Sequence, residues 1–227
     1  VSISKKIRGF IVDKISSLFD SIKRAALSLS GDSSFASLYK DAYRSASGSS
    51  EPDQEQIKDL VDSTERYLDA LKLKTVSSAI DACQKAPKGA REVRLSEQIS
   101  KSFDHLDMIV ATQAQTFQNL GALDGILDSS GKHNDEEPFV YFTGPNDSKT
   151  CKTCKEMYFL KDGVTPRVWK VSELGTGFFK KGDCCPSVSP IHPRCRHFPT
   201  YLPKGHGFVG GKVQFVSDDF DPKEGQD

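Results

Sequence analysis

Two short stretches, TCKTCKEM at 150–157 and SPIHPRC at 189–195, concentrate the residue types that bind metals. The first places Cys151 and Cys154 two residues apart, and the second places His192 and Cys195 with the same gap. A C-x2-C turn lets two thiolates share an ion while turn amides hydrogen-bond the sulfurs. A second two-ligand turn completes the tetrahedron that zinc prefers, at about 2.3 Å to sulfur and about 2.0 Å to nitrogen. Cys151, Cys154, His192 and Cys195 are therefore the expected ligands of a structural zinc, because four protein donors leave no position for a reacting water. Cys184, Cys185 and His197 are alternates, and at most one of the vicinal cysteines is expected to bind. A metal-free arrangement, with reduced thiols or a disulfide, is the competing reading of the same residues.

Catalytic arrangements are harder to assemble. A zinc deaminase needs Glu two residues after its His and a following C-x-x-C. Here Pro193 and Arg194 follow His192, and the C-x-x-C lies upstream. The sequence contains neither H-E-x-x-H nor a phosphate-binding glycine loop. A Cys–His nucleophile pair would lack an identifiable orienting acid or oxyanion donor. No catalytic residue is assigned, and neither enzyme activity nor a small-molecule substrate is expected.

The elements that must position these residues differ in texture along the chain. Residues 1–27 repeat apolar side chains at helical spacing, with Lys5, Lys6 and Arg8 among the basic residues of the other face. Such a helix docks on a partner groove or a lipid surface, or packs on its own domain. Residues 28–53 are rich in Ser, Gly and Asp and read as a linker with one short helical turn near Phe35 to Tyr43, long enough to hold the first helix away from the rest. Residues 54–130 carry two apolar stripes. One runs Ile57, Leu60, Val61, Thr64, Leu68, Leu71, Thr75, Ile80, and the other Val93, Ile99, Phe103, Leu106, Ile109, Val110, Phe117, Leu120. Pro87 and Gly89 break the pattern, which predicts a helical hairpin that fades at Gly121 and Gly125. Residues 138–210 change to short alternating runs among Pro, Gly and cysteines, a small module that needs a staple. Residues 211–227 form an acidic tail. The expected fold class is α+β: an N-terminal amphipathic helix and a long helical hairpin, followed by a small, loop-rich, zinc-stapled β module.

Charge and cysteine usage narrow the partners. The net charge is zero, yet residues 149–206 hold eleven Lys/Arg against four Asp/Glu, a local basic excess suited to a polyanion. Lys180, Lys181, Arg194 and Arg196 are the expected contacts with nucleic acid or a partner. Five of the six cysteines lie between 151 and 195, and the first residues lack the layout of a secretory signal. Metal binding is therefore favoured over a disulfide framework. No apolar run approaches the roughly 18 residues of a spanning helix, so a membrane is not an expected partner.

DSKTCKTCKEMYFLKDG followed by SPIHPRCRHFPTYLP resembles the signature of the Mu F-like minor head proteins of tailed bacteriophages, the head morphogenesis proteins. Cys151, Cys154, Gly163, His192, Pro193, Cys195 and Arg196 match that signature. Upstream, Thr112, Asn119 and Gly121 match the family's helix. Departures are Ala111 for a common Arg, Gln113 for the usual Glu, and His197 for the final cysteine. The resemblance spans roughly residues 90–205. It implies a minor structural protein of the virion, associated with the portal vertex or the capsid interior. Its role would be head assembly or genome packaging and ejection. The expected partners are the portal protein, the major capsid protein and packaged DNA. The expected locations are the phage head and, during assembly, the host cytoplasm. The alternative is a zinc-ribbon-like nucleic-acid-binding module that is not built into a particle.

Overall fold

The computed structural model describes residues 4–28, 34–48, 50–132 and 137–226. It is an α+β protein that divides into two compact units, one made of residues up to Ser37 with Asp53–Val110, the other of Leu38–Pro52 with the residues from Ala111 onward. Among the described residues no helix is long and apolar enough to cross a membrane.

The first unit is built from α1 (Lys5–Ala26), α3 (Gln54–Lys85) and the first half of α4 (Arg91–Lys132). Ser4 caps α1, its Oγ accepting from the Ile7 amide at 3.3 Å, and Lys23 and Arg24 occupy the last turn, where the helix dipole favours cations. Ile11, Ile15 and Phe19 form one core with Leu68, Ala79 and Cys83 of α3 and with Leu95, Leu106 and Ile109 of α4. Lys23 reaches Glu65 and Asp69, each at 2.8 Å, and Lys72 reaches Asp20 at 2.9 Å. Higher numbers on α1 thus meet lower numbers on α3, so the two helices are antiparallel. Ala86, extended before Pro87, stops α3, and a 3-10 turn at Lys88–Ala90 leads into α4, as the sequence pattern predicts.

This arrangement corrects three expectations. The first helix is not held away by a tether: Ile11, Ile15 and Phe19 are buried in its own unit, the packing alternative, while Phe10 remains 47% exposed. The supposed linker contains α2 (Phe35–Ser47), with Phe35, Tyr39 and Tyr43 buried four residues apart. In the second stripe Val93 and Phe103 are 62% and 49% exposed, and Leu95 takes the core position instead.

The second unit packs the end of α4 and most of α2 with the cysteine-rich module. Strands β1 (Phe139–Thr143), β2 (Val168–Lys170) and β3 (Phe198–Leu202) form an antiparallel sheet in the order β2-β1-β3. The short helix α5 (Lys152–Tyr158) crosses between β1 and β2 in sequence. Val140, Phe142, Met157, Tyr158 and Trp169 share a core with Leu123 and Ile126 of α4. Strands β4 (His206–Val209) and β5 (Lys212–Phe215) make a hairpin. Its two turn residues, Gly210 and Gly211, have φ of 59° and 77°, as a type I′ turn requires.

The last seventeen residues are not simply a solvated acidic tail. They begin with β5, bury Pro222, ion-pair Lys223 with Glu173, and use Gln226 Oε1 to accept the Val168 amide of β2 at 3.0 Å. Nor does α4 fade at its glycines. A Cβ on Gly121 would collide with the Tyr39 carbonyl, and one on Gly125 would lie 2.5 Å from the Tyr43 carbonyl. The glycines are where α2 lies against α4. Gly121→Ala is expected to cost about 1–3 kcal/mol by overpacking. Gly9→Ala, in a helix position with open space, should gain up to about 1 kcal/mol. Urea titrations of the two variants test both signs.

Candidate metal centre

The first knuckle is part of a helix start. Cys151 is the N-cap of α5, and its Sγ accepts from the Cys154 amide at 3.4 Å. The C-x2-C spacing therefore places both residues in the first turn of one helix. The second knuckle is a tight turn, with the Cys195 amide donating to the His192 carbonyl at 3.1 Å. Pro193 fixes φ at the second position and Arg194 carries a φ of 60° at the third, the pattern of a type II turn. Arg194 is the only non-glycine with positive φ among the described residues, so strain of about 1–2 kcal/mol is stored beside the ligands.

The two knuckles meet at Cys154. Its Sγ lies 3.1 Å from His192 Nε2 and 3.8 Å from Cys195 Sγ. Cys195 Sγ lies in turn 3.7 Å from His197 Nδ1. Two donor sets result, Cys151/Cys154/His192 and Cys154/Cys195/His197, each with ligand atoms within 4.8 Å of one another, and both can hold a metal ion. All four residues expected from the sequence are present, and one alternate, His197, joins them. Cys184 and Cys185 belong to neither set: Cys185 is half-buried, while exposed Cys184 lines a cavity of about 880 Å³ that also touches Cys151 and His192.

The electrostatics are those of a thiolate site. The Cys154 thiol is pushed up by its hydrogen bond to Cys195 and by burial, while the same hydrogen bond, together with His197, pulls Cys195 down. Two sulfurs this close do not both ionise unless a cation lies between them. Tyr158 forms the floor, stacked on Phe142 at 4.5 Å and 4.8 Å from the His197 ring. Burial and the neighbouring Cys195 and Cys154 raise its hydroxyl, which stays neutral.

Several residues that hold the knuckles were not singled out by sequence reasoning. Asp147 receives both Arg196 guanidinium nitrogens, at 2.8 and 2.7 Å, and also accepts the Lys149 amide at 2.9 Å. It thereby joins the loop entering the first knuckle to the residue that leaves the second. Arg196 beside it holds its carboxyl well below the usual range. Arg196, named among the expected contacts, makes this fork with its guanidinium. From α4, Gln115 donates to the His197 carbonyl at 2.7 Å, and buried Asn119 donates to the Val188 carbonyl at 2.8 Å. The signal for Asp147 was the run PNDSKT, an Asx-turn composition.

The other expected contacts are surface groups. Lys180, Lys181 and Arg194 are exposed, and the Lys180 amide is tied to the Asp183 carboxylate at 2.7 Å. Lys5, Lys6 and Arg8 are exposed at the start of α1, the helix end at which the dipole disfavours cations.

Comparisons of this chain with protein-family models, with curated proteins and with solved structures returned no match. Asp147→Asn is expected to weaken metal binding about 10-fold or more, the usual effect of losing a partner that orients ligands. Competition with a chelating dye measures it, and unchanged affinity would remove Asp147 from the site.

Proposed function

We propose that this protein is a minor structural component of a tailed-phage head, in which a zinc ion staples the second unit. The ion is held by Cys151, Cys154, Cys195 and an imidazole, His192 being the one the sequence pattern names. The observation that supports the reading is convergence. The residues carrying the resemblance lie far apart in sequence, yet Cys151, Cys154, His192 and Cys195 meet around one sulfur. Asn119 of the upstream helix and Arg196 both brace that point. A closed thiolate–imidazole site suits a scaffold, since it leaves no position for substrate. In this role the portal or major capsid protein is the partner, with packaged DNA as a phosphate-rich neighbour of the exposed lysines.

The free nucleic-acid-binding alternative draws on the basic excess of residues 149–206. It predicts binding of the purified chain to DNA with a steep salt dependence. Quantitative mass spectrometry of particles from a phage that encodes this chain separates the two. The head reading expects the chain at low copy number, far below the major capsid protein. Absence from the particle would overturn it.

The staple has its own signature in melting experiments. Stripping the metal is expected to remove the second unit's transition and leave the first unit's in place, because ligand binding and folding are coupled. At zinc concentrations near 1,000 times Kd the lost stabilisation is about 4 kcal/mol. A calorimetric trace unchanged by a chelator would exclude a structural ion.

A further inference from the structure

Counting Cys154 itself, three thiols and two imidazoles make up the two donor sets, one donor more than a tetrahedral ion takes. The geometry points to His197, through Nδ1, as a direct metal ligand, with His192 as an outer, exchangeable imidazole. This inference rests on the metal-binding reading above and settles which histidine completes the site.

Tetrahedral bonds of about 2.3 Å to sulfur and about 2.0 Å to nitrogen fix the edges of the polyhedron at about 3.8 Å for S···S and about 3.5 Å for S···N. The Cys154–Cys195 separation is 3.8 Å, and Cys195–His197 Nδ1 is 3.7 Å. Both match the edges of such a coordination shell. The Cys154–His192 separation, 3.1 Å, is too short for such an edge and is a hydrogen bond. His192 Nδ1 also lies 2.9 Å from the Pro193 carbonyl of its own turn. His192 stands half-buried on the wall of the 880 Å³ cavity, with room to move.

His197 has no such freedom. It is 2% exposed, its carbonyl is fixed by Gln115, and its ring lies against Tyr158 and Phe159. A Cβ on Gly144 would come within 2.7 Å of the imidazole, so the glycine leaves space for that ring. His197 Nε2 is buried without a hydrogen-bond partner among the described residues. A histidine retained only for packing would leave that polar atom uncompensated, whereas an apolar ring would fill the space without it. Coordination at Nδ1 gives a reason for an imidazole here that packing alone does not, with the proton left on Nε2, still without a hydrogen-bond partner among the described residues.

Cobalt(II) titration of the full chain tests this. His192→Ala is expected to bind one equivalent with tetrahedral d–d absorption and to lose at most about 10-fold in affinity, the low end of what loss of an outer partner costs. His197→Cys is expected to raise the sulfur-to-cobalt charge-transfer intensity by about a third, as three thiolates become four. Loss of binding in the first variant, or unchanged charge transfer in a folded second variant, overturns the assignment. If His197→Cys does not fold, ¹⁵N spectra of the zinc-loaded, histidine-labelled wild-type chain decide. A metal-bound shift at His197 Nδ1 supports the inference, and one at His192 Nε2 refutes it. A wild-type chain that takes up neither cobalt nor zinc refutes the metal reading itself, an outcome distinct from a misassigned histidine.

Discussion

A buried sulfur in contact with another sulfur is tolerable only as a neutral thiol or as part of a cation's shell. Cys154 is in that position, almost fully enclosed and shared by both donor sets. The second unit has a three-stranded sheet and a seven-residue helix but few long apolar segments. Its remaining loops, from Thr143 to Lys152 and from Glu173 to Phe198, carry much of the chain without regular hydrogen-bond ladders. What organises them is the meeting of a helix N-cap with a proline turn. Strain at Arg194 is the cost of aiming Cys195 at that meeting point.

Helix α4 serves the two units differently. Before Val110 it contributes Leu95, Leu106 and Ile109 to a helix-only core. After Ala111 it turns to polar tethering, with Gln115 and Asn119 one turn apart and both donating to carbonyls of the cysteine-rich module. Such bonds fix backbone position without consuming apolar surface. Beyond them Gly121 and Gly125 admit the backbone of α2, so one stretch of helix passes from bonding a loop to packing a helix.

Legibility in the sequence followed the range of the interaction. The knuckles were readable because each is a local turn with its ligands at fixed spacing. The hairpin was readable because Pro87 interrupts long periodic stripes. What failed were inferences in which composition outweighed pattern. Serine and glycine around α2 hid its extent: one turn near Phe35 to Tyr43 was legible, whereas the helix runs to Ser47 and buries Phe35, Tyr39 and Tyr43, whose aromatic rings cover enough surface to override weak propensity. Glycines on α4 read as stops because the sequence does not display the opposing carbonyls. Val93 and Phe103 were assigned inward because periodicity places an arc, not its width. His197 was named from the sequence only as an alternate donor, and its place beside Cys195, like the fork between Asp147 and Arg196, needed the fold itself.

The C-terminal residues also change how the sheet edge should be regarded. In the order β2-β1-β3, β2 is an outer strand, and an outer strand with open amides is a template on which another chain can add. Gln226 occupies the Val168 amide with a side-chain oxygen, and Lys223, held by Glu173, lies over the Trp169 ring. The tail acts as a guard rail. It satisfies the Val168 amide with a side-chain oxygen, not with a backbone ladder that an incoming strand could extend. An outer strand covered in this way is shielded from accidental pairing with another chain.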